Sequence, residues 1–319
     1  MKAVMYHYVR QATGELPYFR YLHVDDFARQ LDWFAENHRF VTLDEFHKAC
    51  RIGEAPEGIV LTFDDGLVDH YDSVLPLLKE RGLFGFFYIC SAPLERRKLL
   101  DVHRIHLILG RLGGEVALQR LQLHLTDEMQ DAHRTEFREA TYRNQVNDAA
   151  TTTFKRMLNY WISYEYREGV LNALFEEEFG HEEAIAQEFY LSPSHIREMD
   201  AAGMVVGSHG ANHFLFSKLS AEQQREEIAQ SFRYLSRVLG RPVTTFCYPY
   251  GGSHAFTPHT VSLLEEAGTL FSFDVNPRDI TADDLRSGRQ ALPRYDCNMF
   301  PHGKASLGAA RPGQAEQAA

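Results

Sequence analysis

Short apolar runs alternate with segments of helical periodicity in the first part of the chain. KAVMYHYV and GIVLTF predict strands, and the second is a nearly continuous, β-branched run of the kind that is buried on both faces of a sheet. Between them, Phe27, Leu31 and Phe34 lie at helical spacing after Asp25 and Asp26, which suit a helix N-cap. SVLPLLKERG then predicts a helix and LFGFFYIC a further buried strand. The order is strand, helix, strand.

The same rhythm returns in the last third of the chain. MVVGS, TTFCYPYGG and LFSFDV predict strands, and TVSLLEEAG predicts a helix between the last two. The longest helix of this part has Ser220 and Gln223 at capping-box spacing and ends at Gly240. This alternation predicts a parallel sheet wrapped by helices, either open or closed into a barrel. In both forms the chemistry belongs at the C-terminal ends of the strands.

The middle of the chain has a different composition. Residues 94 to 190 are rich in charge and in helical spacing, and we interpret them as a helical insertion in a single catalytic domain that covers residues 1 to 302. Residues 303 to 319 contain few bulky apolar side chains and predict a disordered tail.

Charge and cysteine content narrow the classes of protein. A formal net charge of −11 argues against a nucleic-acid partner. The four cysteines are widely spaced and indicate free thiols in a reducing compartment. The first residues lack the apolar core of a signal peptide, and no apolar run is long enough to span a bilayer. We therefore expect a cytoplasmic protein; its oligomeric state is left open.

Two adjacent aspartates stand where the GIVLTF strand ends. Asp64 and Asp65 are followed by Gly66, whose conformational freedom suits a sharp turn, so both carboxylates can face one cleft. Alternatively, Asp65 caps the next helix and Asp64 is solvated. His209 and His213, four residues apart after the MVVGS strand, favour the first interpretation. Two imidazoles and one carboxylate are the ligands of an open catalytic metal site.

These motifs, TFDDG, a histidine pair with three residues between, and FCYPYGG, resemble those of the polysaccharide deacetylases of the NodB-homology type, carbohydrate esterase family four. The resemblance covers about residues 1 to 92 and 192 to 300. It implies a distorted (β/α) barrel with fewer than eight repeats and a divalent metal, usually zinc, with cobalt, nickel and manganese as alternatives. It implies further that Asp65, His209 and His213 hold the metal and that Asp64 takes a proton from the metal-bound water.

The third motif implies how the oxyanion is stabilised. In the family, the backbone N–H of the tyrosine in the proline–tyrosine pair meets the oxyanion, which here is Tyr250 after Pro249. Tyr248 and Tyr250 are also placed to stack on a sugar ring, although aromatic residues at such positions are more often part of the core.

The sequence departs from the common family pattern twice. Cys247 stands where an arginine usually orients the catalytic aspartate, and we expect Arg294, in LPRYDC, to supply that guanidinium unless it forms a purely structural ion pair. The usual general-acid histidine near the C-terminus is missing as well. His7, at the end of the first strand, is our substitute, because an imidazole can protonate a leaving amine. Its alternative role is that of a hydrogen-bonded core histidine.

The predicted function is that of a metal-dependent hydrolase that removes the N-acetyl group from an amino sugar. We expect the substrate to be a nucleotide-linked, lipid-linked or oligosaccharide intermediate of a bacterial surface polysaccharide, of O-antigen or capsule type. A sugar deformylase or an O-deacetylase would use the same chemistry. A catalytically silent carbohydrate-binding protein is the alternative from another class, because both family residues named above are replaced.

Overall fold

Seven parallel strands form the main sheet of the computed structural model, which describes residues 1–11, 14–129 and 147–308. The strands of the described residues are β1 Lys2–Tyr6, β2 Val9–Arg10, β3 Arg20–His23, β4 Ile59–Phe63, β5 Phe86–Ile89, β6 Val205–Ser208, β7 Thr245–Cys247, β8 Phe271–Phe273, β9 Tyr295–Asp296 and β10 Ser306–Leu307. The main sheet has the order β8-β7-β6-β5-β4-β1-β9. A parallel bridge from Phe273 to Leu292 joins β8 to the segment before β9, which brings the two ends of the sheet together. The predicted distorted (β/α) barrel is confirmed.

The described residues divide into two compact units. The first contains Met1–Arg10, Leu22–Arg97 and Gln187–Ala305 and holds the whole seven-stranded sheet. The second contains the described parts of Gln11–Tyr21, Lys98–Ala186 and Ser306–Ala319.

Helices of the first unit follow the strands. They are Val24–Asn37, Leu43–Ile52, Leu75–Glu80, Ala92–Arg96, Pro193–Ala201, Ala221–Leu239, Pro258–Glu266 and Ala282–Ser287. The capping box of Ser220 and Gln223 is present, and Gly240 ends that helix in the left-handed conformation, as predicted. The N-cap predicted at Asp25 and Asp26 is wrong. His23 is the N-cap, because its imidazole accepts the N–H of Asp25, and the two aspartates lie in the first turn, where they complement the helix dipole.

The core of the first unit lies on both faces of the strands. All five residues of β4 are buried, as the continuous apolar run predicts. Val60 packs with Phe86 and Phe273 on one face, while Leu61 and Phe63 pack on the other. Each such side chain contributes about 1.5–3 kcal/mol by leaving water. The sheet is therefore a rigid support for the loops at its C-terminal edge.

The second unit is mostly helical in its described residues between 98 and 129 and between 147 and 186. Its helices are Asp101–Leu123, interrupted at Gly113, then Ala149–Arg156, a π-helix at Met157–Trp161, Tyr164–Phe179 and the start of Glu182–Phe189. Asp101 forms buried ion pairs with Arg104 and Arg167 and joins two of these helices. Ser306 and Leu307 of the predicted tail pair with Tyr21 and Arg20, while residues 309–319 lie outside the described part of the chain. Among the described residues no helix is both long and apolar enough to cross a membrane.

Candidate active site

The predicted site residues come together at the C-terminal edge of the main sheet. His7 follows β1, the aspartate pair follows β4 and His209 follows β6. Arg294 instead directly precedes β9 and reaches this edge through its side chain, which bonds Asp64. Because the strands are parallel, their C-terminal ends share one edge, which is where barrels of this kind carry their chemistry.

The turn after β4 sends the two aspartates in different directions. Asp65 has a φ of 80° and Gly66 a φ of 72°, both in the left-handed region. A Cβ atom on Gly66 would come within 2.7 Å of Ile89 Cγ2, so glycine is needed here. Asp64 and Asp65 are only 2% and 3% exposed. The alternative of a helix cap beside a solvated aspartate is therefore wrong.

Asp65 faces both histidines of the second motif. The Nε2 atoms of His209 and His213 each lie 3.4 Å from Oδ1 of Asp65. One ligand atom from each of the three residues lies within 4.8 Å of the others. His209 Nδ1 donates to the carbonyl oxygen of Cys247 at 2.7 Å, which leaves Nε2 as the nitrogen that faces Asp65 and would ligate a metal. Two nitrogens and one oxygen in this arrangement fit a divalent ion that keeps open positions.

Asp64 faces a buried arginine instead. Arg294, 0% exposed, donates from Nη1 and Nη2 to the two carboxylate oxygens of Asp64, both at 2.8 Å. Its remaining hydrogen bonds reach Thr62 Oγ1 at 3.0 Å and the Asp274 carbonyl at 3.3 Å. Burial alone would raise the pKa of Asp64, but the charge of Arg294 outweighs it and lowers that pKa to about 2. Asp64 is therefore an ionised acceptor at neutral pH.

Cys247 lies against the same guanidinium. Arg294 Nη2 is 2.9 Å from Cys247 Sγ, and that sulfur is 3.6 Å from Asp64 Oδ2. Burial raises the pKa of the Cys247 thiol, which keeps it neutral. The ligand atoms of Asp64, His209 and Cys247 also lie close enough together to hold a metal ion. The Arg294 guanidinium, however, already contacts Asp64 and Cys247. Electrostatic repulsion therefore favours the Asp65 group as the metal site.

His7 lies next to Asp64. β1 and β4 pair with Tyr6 opposite Phe63, so the residues that follow, His7 and Asp64, are neighbours at the edge. The side chain of His7 is partly exposed. Its backbone carbonyl accepts a hydrogen bond from Nε2 of the buried His70 at 3.0 Å.

The two tyrosines of the third motif lie in different surroundings, Tyr248 in the core and Tyr250 at the site. Tyr248 is 1% exposed, stacks on Phe256 at 3.8 Å between ring centroids, and donates its hydroxyl to the Gln290 carbonyl at 2.7 Å. The prediction that Tyr248 stacks on a sugar is wrong, because its ring has no free face. Tyr250 has a φ of 66° after the buried Pro249, and its ring centroid lies 4.8 Å from that of His213. Tyr250 alone therefore belongs to the cleft.

Two buried carboxylates near the site were missed by the sequence analysis. Asp274, after β8, accepts the backbone N–H of Gly252 at 2.6 Å and thereby holds the loop after Tyr250. Glu227 accepts two N–H groups of the loop between the histidines. No local pattern marks Glu227, because the buried positions one helical turn before and after it, Gln224 and Ser231, are polar as well.

Comparison with known proteins agrees with this arrangement. The family model described as polysaccharide deacetylase matches residues 53–271, and the chain belongs to this family. The match includes the aspartate pair and both histidines but neither His7 nor Arg294. No curated protein matches the sequence.

Solved structures share the fold at low identity. A Streptococcus pyogenes deacetylase, PplD, in complex with acetate is 17% identical, with a TM-score of 0.59 and 95% of each chain covered. A de-N-acetylase from Aggregatibacter actinomycetemcomitans is 14% identical, with a TM-score of 0.54, over 92% of this chain and 93% of that one. The BpsB deacetylase domain from Bordetella bronchiseptica is 12% identical, with a TM-score of 0.52, over 93% and 95%.

Proposed function

We propose that the protein is a metal-dependent carbohydrate N-deacetylase that hydrolyses the acetamido group of an amino sugar. The observation that carries this proposal is the separation of the two adjacent carboxylates, with Asp65 directed at two imidazoles and Asp64 held ionised by Arg294. Family membership supports a deacetylase, and the geometry supports the division of roles.

The metal would be held by Asp65, His209 and His213. Zinc is our first choice because a carboxylate and two imidazoles are its usual catalytic ligands, and cobalt, nickel and manganese accept the same donors. A bound divalent ion supplies Lewis acidity and lowers the pKa of water from 15.7 toward about 7, so that a weak base is sufficient.

Asp64 is the base in this proposal. Its carboxylate is ionised, and Arg294 fixes its orientation through two parallel hydrogen bonds. It accepts a proton from the attacking water as the new C–O bond forms at the acetyl carbonyl. The backbone N–H of Tyr250 is our donor to the developing oxyanion.

His7 is the acid. Its position beside Asp64 allows its imidazolium to donate a proton to the amine nitrogen as the C–N bond breaks. The products are acetate and a free amino sugar. Hydrolysis returns both side chains to their starting protonation states once the proton held by Asp64 passes to His7, directly or through solvent.

We further propose that the substrate is an intermediate of a bacterial surface polysaccharide, nucleotide-linked or lipid-linked rather than a finished polymer. The test is acetate release from a panel of nucleotide-linked, lipid-linked and oligomeric N-acetyl sugars, with and without chelator. Chelator-sensitive acetate release supports the proposal and begins to name the substrate. Formate release from N-formyl sugars alone, or acetate release only from O-acetyl esters, would replace it with the corresponding hydrolase.

Cys247 gives one specific reason to keep a second candidate. Because Cys247 replaces the arginine usual at this position of the family, a catalytically silent carbohydrate-binding protein would retain the fold and the metal ligands. Sugar binding without release of acetate or formate, in protein loaded with metal, would favour that candidate.

A further inference from the structure

The loop between the two imidazole ligands is held by a buried carboxylate from outside the motifs. Glu227, on the helix Ala221–Leu239, accepts the backbone N–H of Ala211 at 3.1 Å and that of Asn212 at 2.9 Å, both at Oε2. Its Oε1 accepts a hydrogen bond from the side-chain amide of Asn212. A single carboxylate therefore fixes two consecutive peptide groups of the loop.

This loop needs support because its backbone is strained. Gly210 has a φ of 77°, which glycine adopts readily, but His213 has a φ of 57° in the left-handed region. A residue with a side chain pays about 1–2 kcal/mol for that conformation. Such a conformation persists only where the surrounding structure holds it. The strained residue is the metal ligand itself.

The helix that carries Glu227 supports the loop a second time. Gly210 donates its N–H to Ser208 Oγ at 3.2 Å, and that hydroxyl lies 2.6 Å from Ser231 Oγ. Ser231 follows Glu227 by one helical turn and so lies on the same face. The carbonyls of Gly210 and Ala211 accept N–H groups from the segment after β5. The peptide groups of the loop are thus satisfied in the position that directs both imidazoles at Asp65.

We propose that Glu227 is a positioning residue that presents the His213 imidazole to a divalent cation. This inference rests on the metal site of the proposed function. Removing the carboxylate leaves the buried N–H of Ala211 and the partly buried N–H of Asn212 without this acceptor, and a buried unpaired N–H costs about 1–3 kcal/mol. The loop then relaxes toward other acceptors, and His213 leaves its strained conformation.

The test is titration of metal-free protein with zinc against a competing chelator of known affinity. Glu227→Ala is expected to raise the zinc dissociation constant at least about tenfold, the lower end of the effect of groups that orient metal ligands. Glu226→Ala is the matched control, because Glu226 is exposed, on the same helix, and paired with Arg233 at the surface. Its dissociation constant should stay within twofold of that of wild type.

A second variant and a second measurement distinguish the positioning role of Glu227 from a purely structural role. Glu227→Gln keeps the size of the side chain but replaces one acceptor oxygen with an amide N–H₂ group, so we expect a folded protein with intermediate zinc affinity. The unfolding midpoint of each metal-free variant is measured in parallel. If stability falls while folded Glu227→Ala and Glu227→Gln bind zinc as tightly as wild type, the inference is overturned and the proposed function stands. Wild type that binds no zinc would overturn the metal site itself.

Discussion

Asp64 and Asp65 are neighbours in the chain, but their surroundings differ in kind. Asp64 is held by a full positive charge, the guanidinium of Arg294, through two hydrogen bonds of 2.8 Å. Asp65 faces two imidazoles, whose Nε2 atoms each lie 3.4 Å from its Oδ1. The comparison teaches that identical side chains take different roles when other strands bring different partners to them.

The largest effect is expected for Asp64→Asn. It should lower kcat/KM for the N-acetyl substrate about 10⁴-fold, because the amide cannot accept the proton, while the metal content stays near that of wild type. His213→Ala should instead lose the metal. The measurement is the turnover rate and the metal content of both purified variants. Equal metal loss in the two variants would contradict the assignment of different roles to the two aspartates.

Arg294→Met removes the charge that keeps Asp64 ionised. It leaves a buried carboxylate without its partner, so we expect the free energy of unfolding to fall by about 3–5 kcal/mol. Urea unfolding at neutral pH measures it. The neighbouring Cys247 provides a compensating variant, because its sulfur lies 2.9 Å from the guanidinium. Arg294→Ala combined with Cys247→Arg should recover part of the lost activity, whereas additive losses would mean that the position of the arginine cannot be exchanged.

The ion pair of Asp64 and Arg294 also predicts that the stability of the protein depends on pH. The pKa of Asp64 is lowered from 3.8 to about 2 in the folded protein, so its contribution of roughly 2 kcal/mol is present above about pH 4 and is lost as the pH falls toward 2. In Arg294→Met the lowering disappears, and this part of the acid destabilisation should disappear with it. The test is to measure the free energy of unfolding of wild type and of Arg294→Met between about pH 5 and 2. If both proteins lose stability in parallel as the pH falls, Arg294 does not set the pKa of Asp64.

His7→Gln tests the acid separately from the base. We expect about a 10²-fold loss of kcat on an N-acetyl amide, because the leaving amine needs a proton. The loss should be much smaller on an aryl acetate ester, whose phenolate leaves without one, whereas Asp64→Asn should be impaired on both substrates. Equal losses of His7→Gln on amide and ester would assign His7 a structural role.

The smallest effect is expected for Tyr248→Phe. It removes the hydroxyl that donates to the Gln290 carbonyl, so the free energy of unfolding should fall by about 0.5–1.5 kcal/mol while kcat/KM stays within twofold. Thermal unfolding and the acetate assay measure the two quantities. A loss of activity without a loss of stability would indicate that Tyr248 contacts the substrate and is not only a core residue.

The sequence was informative where the chemistry lies in local motifs. Strand ends, the turn glycine after the aspartate pair and the spacing of His209 and His213 are short-range patterns, so a parallel sheet wrapped by helices and a group of one aspartate with two histidines could be predicted from them. The barrel form and the choice of Asp65 came from the family resemblance of the motifs. Tyr248 failed as a prediction because alternation along a strand does not tell which aromatic side chain meets another ring, here that of Phe256.

By itself, the sequence determined the strand–helix alternation and the residue types at the strand ends, because both depend on neighbours within a few positions. The tertiary structure decided how those residues are used. Arg294 reaches Asp64 across 230 positions of chain, and Glu227 supports the histidine loop from the buried face of its helix. The physical reason is that pKa, burial and loop strain depend on the atoms that surround a group in space, and parallel strands bring these atoms together from distant parts of the chain.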